Sequence, residues 1–345
     1  LRSDKEIFHM RHHSQETAPS LYVQAAKDAF RKLDPRVLVR NPVMFVVAVG
    51  CVFTTASFFS RVVTGADAGF SGQISLWLWF TVLFANFAEA VAEARRIAEA
   101  GQREIVITGV NTGDFGRTTG ERFIDLLRAL DAVEGIERYR ISSIEPNLLT
   151  DEIIDFCASS TKFQHHFHIP LQSGSDKILG LMRRRYTTAR FADRIAAVRA
   201  LMPDAFIGID VIVGFPGETE EDFRTTYDFL EGLKPAFLHI FPFSERPGTP
   251  AVDMPGKVQP SVATRRVAEL EELCGRLHGA FCAKAVGSED TVLFESTLRG
   301  GMMFGYTGSY RRVKAPYDRT RINAICRVRF GAMDESHDLM GDILD

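Results

Sequence analysis

Five short runs in this chain share a design that could hold a small polar ligand. Gly109-Val-Asn-Thr-Gly, Ser143-Ile-Glu-Pro, Gln172-Ser-Gly-Ser, Gly214-Phe-Pro-Gly-Glu-Thr and Phe243-Ser-Glu-Arg-Pro-Gly-Thr each follow an apolar stretch directly. Glycine lets a backbone approach a ligand closely, while Asn, Ser, Glu and Gln supply donors and acceptors. Each run also has a plain structural use. Gly109 and Gly214 allow tight turns, Thr219 with Asp222 can start a helix by capping, and Arg183-Arg-Arg fits a solvated helix end. The sulfur and imidazole chemistry is sparser. Cys51, Cys157, Cys274, Cys282 and Cys326 are scattered, and the closest pair lies eight residues apart, a spacing that fits no common zinc, redox or iron–sulfur motif. Of His165, His166 and His168, strand alternation puts only His166 and His168 on one face. No third ligand lies near them in sequence, so packing is their expected role and no metal site is assigned.

The elements that must position the five runs are legible from periodicity. Glu104-Ile-Val-Ile-Thr-Gly is a short apolar run ending in Gly, the pattern of a buried parallel strand, and Tyr139-Arg-Ile-Ser-Ser-Ile, His166-Phe-His-Ile-Pro-Leu, Ala205 to Gly214 and Phe237-Leu-His-Ile-Phe-Pro-Phe follow as further strands. Helices fall between them, one with Phe123, Leu127 and Leu130 on a face, another with Phe223, Tyr227 and Leu230. Alternating strands and helices imply right-handed crossovers and a parallel sheet, open or closed into a barrel. Ligands gather at the C-terminal ends of such strands, where all five polar runs sit.

The 345 residues give room for one large domain and a smaller one, and the net charge of −3 is ordinary. Two local departures stand out. Asn41–Ser60 and Ala68–Ala88 carry no charge, which predicts a membrane hairpin over residues 41–88, since roughly 20 apolar residues span a bilayer. Lys27, Arg31, Lys32, Arg36 and Arg40 precede it and predict a cytoplasmic amino terminus, with Trp77 and Trp79 near an interface. The second departure lies between Arg299 and Arg329, where eight Lys or Arg face one acid, Asp318, with Phe304, Tyr306, Tyr310 and Tyr317 interleaved. A helix striped with Val267, Leu270, Cys274, Leu277 and Phe281 leads into this strand-rich tail. A small β-barrel with cations and aromatic faces suits phosphates and stacked bases; a basic solvated sheet is the alternative. An odd cysteine count without a framework fits a reducing compartment, so the cytoplasm is expected for the barrel and tail.

Taken in order, Thr108-Gly-Val-Asn-Thr-Gly-Asp-Phe-Gly, Arg140-Ile-Ser-Ser-Ile-Glu-Pro, His168-Ile-Pro-Leu-Gln-Ser-Gly-Ser, Leu181-Met-Arg-Arg-Arg-Tyr and Asp210-Val-Ile-Val-Gly-Phe-Pro-Gly-Glu-Thr resemble the radical S-adenosylmethionine tRNA methylthiotransferases, most of all the threonylcarbamoyl-adenosine branch. The resemblance covers about Ala94 to Leu339. It implies an α/β fold: a partial (β/α) barrel over 94–285 lacking its first strand, followed by a small β-barrel, TRAM-like and RNA-binding, over 286–345. It also implies S-adenosylmethionine near Gly109, Asn111, Ser143, Glu145, Gln172, Ser173, Arg183 and Phe243, and the anticodon loop of a tRNA near Tyr306, Tyr310, Arg311, Arg312, Lys314 and Arg329. The family's [4Fe–4S] clusters need cysteine thiolates, supplied as Cys-x3-Cys-x2-Cys, and that motif is absent from this sequence. The expectation is a family member without methylthiolation activity, its catalytic residues unassigned and no oligomer expected. The alternative is a non-catalytic RNA-binding remnant or a product of two joined reading frames. Residues 1–93 point to such a junction: Lys32-Leu-Asp-Pro-Arg, Arg40-Asn-Pro-Val-Met-Phe and Trp77-Leu-Trp-Phe-Thr-Val-Leu-Phe resemble the amino-terminal segment of the catalytic subunit of the potassium-transporting P-type ATPase. The Asp-Lys-Thr-Gly phosphorylation stretch of that pump is absent, so transport is excluded.

Overall fold

The structure, a computed structural model, describes residues 42–64, 69–109, 111–116 and 121–344. It separates into two compact units. One takes the described residues up to Glu89 together with Gly116–Arg122, the other Ala90–Phe115 and Phe123 onward.

The first unit holds α1 (Pro42–Val63) and most of α2 (Gly69–Glu99). The two helices meet where Gly72 faces Phe58; a Cβ there would lie 2.8 Å from the ring. Among the described residues no helix is long and apolar enough to cross a membrane. The membrane hairpin expected over 41–88, and the tether it implied, are therefore not supported. In α1 the apolar run gives way to Thr54, Thr55, Ser57, Ser60 and Arg61, and α2 carries Glu89, Glu93, Arg95 and Arg96 in its last turns. Such groups are costly in hydrocarbon. Residues 1–41, with the basic run and the start of the pump-like stretch, lie outside the described residues, as do the side chains of Trp77 and Trp79.

The second unit is built on a five-stranded parallel sheet in sequential order: β1 (Glu104–Ile107), β2 (Arg138–Ile141), β3 (Phe163–Gln172), β4 (Phe206–Val213) and β5 (Phe237–Pro242). Between the strands run α3 (Phe123–Asp131), α4 (Asp151–Ser159), α5 (Asp176–Leu181), α6 (Thr188–Leu201) and α7 (Glu220–Leu233). The crossovers expected from periodicity are present, and α3 buries Phe123, Leu127 and Leu130 as its stripe predicts. Phe167, Ile169 and Leu171 of β3 are fully buried on one face of the sheet. The other face carries Arg138, Arg140, His166, His168, Asp210 and His239, alternating with those apolar positions as the pleat requires. An open parallel sheet with one polar face needs a polar partner.

That partner comes from the end of the chain. α8 (Pro260–Ala283) packs on β4 and β5 through Leu270, Leu273 and Cys274. It leads into a closed barrel of β6 (Glu289–Arg299), β7 (Met302–Thr307), β8 (Arg312–Pro316), β9 (Ile325–Met333) and β10 (Leu339–Ile343). Val292, Phe294, Met303, Val313, Val328 and Leu339 fill its core. The α/β sheet with a small carboxy-terminal barrel agrees with the expected partial barrel architecture.

The helix start read from Thr219 and Asp222 is a capping box on α7. Asp222 does more than cap: its carboxylate also accepts from Ser175 Oγ at 2.9 Å and from Lys177 Nζ at 2.6 Å, fastening α5 to α7. Burial opposes the charge, but these donors outweigh it and hold the carboxyl far below the usual range. A depressed folded pKa contributes stability above the unfolded value of about 3.9 that is lost as pH falls further. Asp222→Asn is expected to lower stability in urea at pH 7 by about 1–3 kcal/mol. The difference from the wild type should narrow below about pH 4.

Candidate functional site

Two places on the sheet collect functional side chains: the rim at the C-terminal ends of its strands, and the polar face itself.

On the rim, Asn111 and Glu145 meet in one corner. Asn111 Oδ1 accepts from the Glu145 backbone N–H at 3.2 Å while its Nδ2 donates to Asp114 at 2.9 Å. Ser143 lends its carbonyl to the Thr112 N–H at 2.8 Å, which pins the loop carrying Gly109. Arg184, one residue beyond the Arg183 singled out in the sequence, extends Nη1 to within 3.5 Å of Glu145 Oε1. Its Nε, like Asn147 Oδ1, is buried without a hydrogen-bond partner, and such an atom is an open demand for a ligand or water. Arg183 itself is exposed, with φ of 55° as it ends the α5 turn. Gln172 also has positive φ, 73°, at the end of β3. Ser173 is fully buried, its hydroxyl beside Thr226 Oγ1 at 3.2 Å and accepting from the Ser175 N–H, so it fastens the loop to α7. Phe243 stands edge-on to Phe215, 5.0 Å between centroids. Sequence reasoning missed Arg184 and Asn147 because their burial is invisible in a run of three arginines or an Asn-Leu-Leu turn.

The polar face lines a cavity of about 700 Å³ bounded by β1 to β5, α8 and the small barrel. Arg140 lines its floor, and Arg138 stands two residues before it on the same strand. Arg138 donates to Tyr306 O, Thr291 O and Thr291 Oγ1, each at 2.9 Å. Arg140 bonds Glu104 at 2.8 Å, Gly308 O at 2.8 Å and Thr307 O at 2.7 Å, under the Tyr310 ring. Around the wall stand His166, His168, His239, His278 and His337. His166 stacks on Phe206 at 5.0 Å, the packing role expected of it. His168 differs: its Nε2 lies 2.6 Å from Asp210 Oδ1, and its ring lies 4.7 Å from that of His239. These two neighbours of His168 come from the adjacent strands and are remote from it in sequence.

The tail cations are mostly engaged. Arg311 is buried over the Phe281 ring at 4.0 Å and bonded to Ser309. Arg312 pairs with Asp338 at 2.5 Å, Lys314 with Asp334, and Arg329 with Glu289 at 2.7 Å. Tyr306 and Tyr310 stack on one another at 4.7 Å. The acids responsible lie outside the basic window read in sequence. Exposed Arg299 and Arg319 have no ion-pair partner among the described residues.

The five cysteines are all buried. Burial pushes Cys157 up to about 12 and Cys282 up to about 11, and raises Cys51 and Cys274 as well. Thiols held protonated are poor cluster ligands, and the five are spread over α1, α4, α8 and β9. The residues present do not fit a [4Fe–4S] cluster.

Comparison with known proteins bears on the second unit and the end of the first. Residues 78–230 match the family model of the radical SAM superfamily, beginning inside the segment 1–93. Over 247 residues the chain is 40% identical to the threonylcarbamoyladenosine tRNA methylthiotransferase MtaB of Bacillus subtilis, covering 70% of this chain and 55% of that one. Over that stretch the chain is similar to a tRNA methylthiotransferase. A second relative, the tRNA-2-methylthio-N(6)-dimethylallyladenosine synthase of Paenarthrobacter aurescens, is 40% identical over 221 residues, 64% of this chain and 42% of that one. The chain thus spans about half the length of the curated relatives it matches. Among solved structures, coproporphyrinogen III oxidase (HemN) from Escherichia coli, a radical SAM enzyme, aligns at a TM-score of 0.45 with 13% identity over 72% of this chain and 59% of that one.

The wall histidines make the methylthiotransferase-like unit sensitive to acid. Burial first, then Arg140 and His168, push His166 down to about 3. A lowered folded pKa means the unfolded chain binds the extra proton below about 6.5, so stability falls as pH drops through that window. His166→Phe keeps the stack on Phe206 and removes the titration. Its stability is expected to fall less steeply between about pH 6 and 4, by about 1.4 kcal/mol per pH unit, measured by urea unfolding.

Proposed function

We propose that this chain binds S-adenosylmethionine at the strand rim and a tRNA through its carboxy-terminal barrel, and does not carry out methylthiolation alone. The observation that carries the cofactor reading is the corner of Asn111, Glu145 and Arg184. A carboxylate and a guanidinium side by side complement the ammonium and carboxylate of an amino acid, and the buried Arg184 Nε and Asn147 Oδ1 await partners. Gly109, Ser143, Gln172, Ser173, Arg183 and Phe243 shape the rest of the rim. Bound there, S-adenosylmethionine supplies a sulfonium for radical or methyl chemistry. The chain's own part is to orient the amino-acid end and keep water from it.

The tRNA reading rests on the tRNA-modifying relatives and on the closed, basic barrel at 286–345. With Arg311 buried and Arg312, Lys314 and Arg329 paired, Arg299, Arg319 and exposed Tyr317 are the groups best placed to meet phosphates and bases. The lack of catalysis rests on the buried thiols. On this reading residues 1–93 are a pump-like segment joined to the methylthiotransferase part, and 94–285 form its partial barrel.

Equilibrium dialysis with labelled S-adenosylmethionine tests the rim. Saturable binding is expected, weakened at least tenfold by Glu145→Gln or Arg184→Ala; binding indifferent to both sinks the rim assignment. An anticodon stem–loop should bind in a salt-dependent way and more weakly to an Arg299→Ala, Arg319→Ala double variant. Anaerobic reconstitution with iron and sulfide should give no cluster absorbance and no 5′-deoxyadenosine. A cluster with turnover would show that the buried thiols do serve.

A further inference from the structure

The polar face of the sheet carries a second constellation that neither the rim nor the tail uses. His168, Asp210 and His239 stand on β3, β4 and β5, three neighbouring parallel strands. The ladder places them together: Asp210 is paired in register with His239 and with Pro170, two residues beyond His168. All three side chains therefore emerge on one face, Asp210 level with His239 and His168 two residues before that level. One ligand atom from each lies within 4.8 Å of the other two.

We propose that His168, Asp210 and His239 form a binding site for a first-row divalent transition-metal ion of the zinc type. Two imidazoles and one carboxylate are a borderline nitrogen and oxygen donor set that suits such ions and leaves further positions open. At bonds of about 2.1 Å in tetrahedral geometry ligand atoms stand about 3.4 Å apart. Metal uptake therefore opens the 2.6 Å His168–Asp210 contact and draws any wider pair inward, by χ rotations within the rotamer wells. The space between the rings is kept by Gly208, paired in register with His168. A Cβ there would sit 3.7 Å from His239 Nε2 and 3.9 Å from His168 Cδ2, so any larger side chain would occupy the space into which the rings converge. The site opens into the 700 Å³ cavity, giving an ion both an entry path and room for an exogenous ligand. Of the two arginines that line the cavity, Arg140 is paired with Glu104 and Arg312 with Asp338, which offsets the charge each presents to a bound ion. Cys274 borders the same cavity, but its Sγ is engaged with the Leu238 backbone at 3.3 Å. The ordinary reading of the cluster is a hydrogen-bonded His–Asp pair beside a stacked histidine, and the two readings differ in what the purified protein takes up.

The test uses the full chain without an affinity tag, stripped with a chelator and titrated anaerobically with Co(II), then with competing Zn(II). One equivalent is expected to bind with visible bands of nitrogen and oxygen ligation, displaced by Zn(II). Asp210→Asn and His239→Gln should each weaken it at least tenfold, with far-UV circular dichroism unchanged. X-ray absorption on the zinc-loaded wild type needs no variant to fold. Two imidazoles with oxygen and no sulfur are expected. The proposal is overturned by sulfur scattering, by absence of saturable uptake, or by uptake that follows His9, His12 and His13 in an alanine triple variant instead of the lumen residues.

Discussion

Two arginines set one residue apart on a buried strand present a charge that water cannot solvate. On β2, Tyr139 and Ile141 face the apolar layer, so alternation sends Arg138 and Arg140 to the opposite side, where they are 3% and 1% exposed. An unpaired guanidinium there would cost several kcal/mol. The partners it finds are backbone carbonyls of Thr291, Tyr306, Thr307 and Gly308, together with Glu104. Those carbonyls belong to β6, to the end of β7 and to the turn after it. The demand of β2 for acceptors therefore decides where the small barrel docks, and that docking in turn creates the floor of the cavity and its histidine wall.

The same constraint changes the meaning of the basic tail. Composition counts eight cations against one acid between Arg299 and Arg329, but a closed barrel folds Glu289, Asp334 and Asp338 back onto them. Arg312 and Lys314 alternate on β8 and meet acids from the turn before β10. Arg311 turns inward onto Phe281 and the serine turn. What remains for a polyanion is a smaller set at the edges, Arg299 and Arg319, and its field is more local than a count of charges implies.

The strands and helices of the second unit were legible in the sequence because their apolar periods are unambiguous: Ile207, Ile209, Val211 and Val213 in β4, or Phe123, Leu127 and Leu130 in α3. The capping of α7 was legible too, from Thr219 and Asp222 alone. What was not legible depends on register. Whether Asp210 stands opposite Pro170 or one residue away decides which face it joins, and no local pattern fixes that. His168 thus looked alone in a His-x-His run while its neighbours were 42 and 71 residues downstream. The membrane expectation differs in kind: it rested on an absence of charge over 41–88, and among the described residues no helix is long and apolar enough to support it.

The distribution of donors over the second unit separates two chemistries. Burial disfavours the thiolate at three of its sulfur atoms, Cys157 in α4 and Cys274 and Cys282 in α8. Burial that raises a thiol's pKa lowers that of an imidazole, because both shifts favour the neutral form. His239 is moved down in this way by burial. A neutral thiol has lost its ligand character, whereas a neutral imidazole has gained it. One desolvated interior therefore disfavours the thiolate at Cys157, Cys274 and Cys282 while it favours the neutral imidazole at His239.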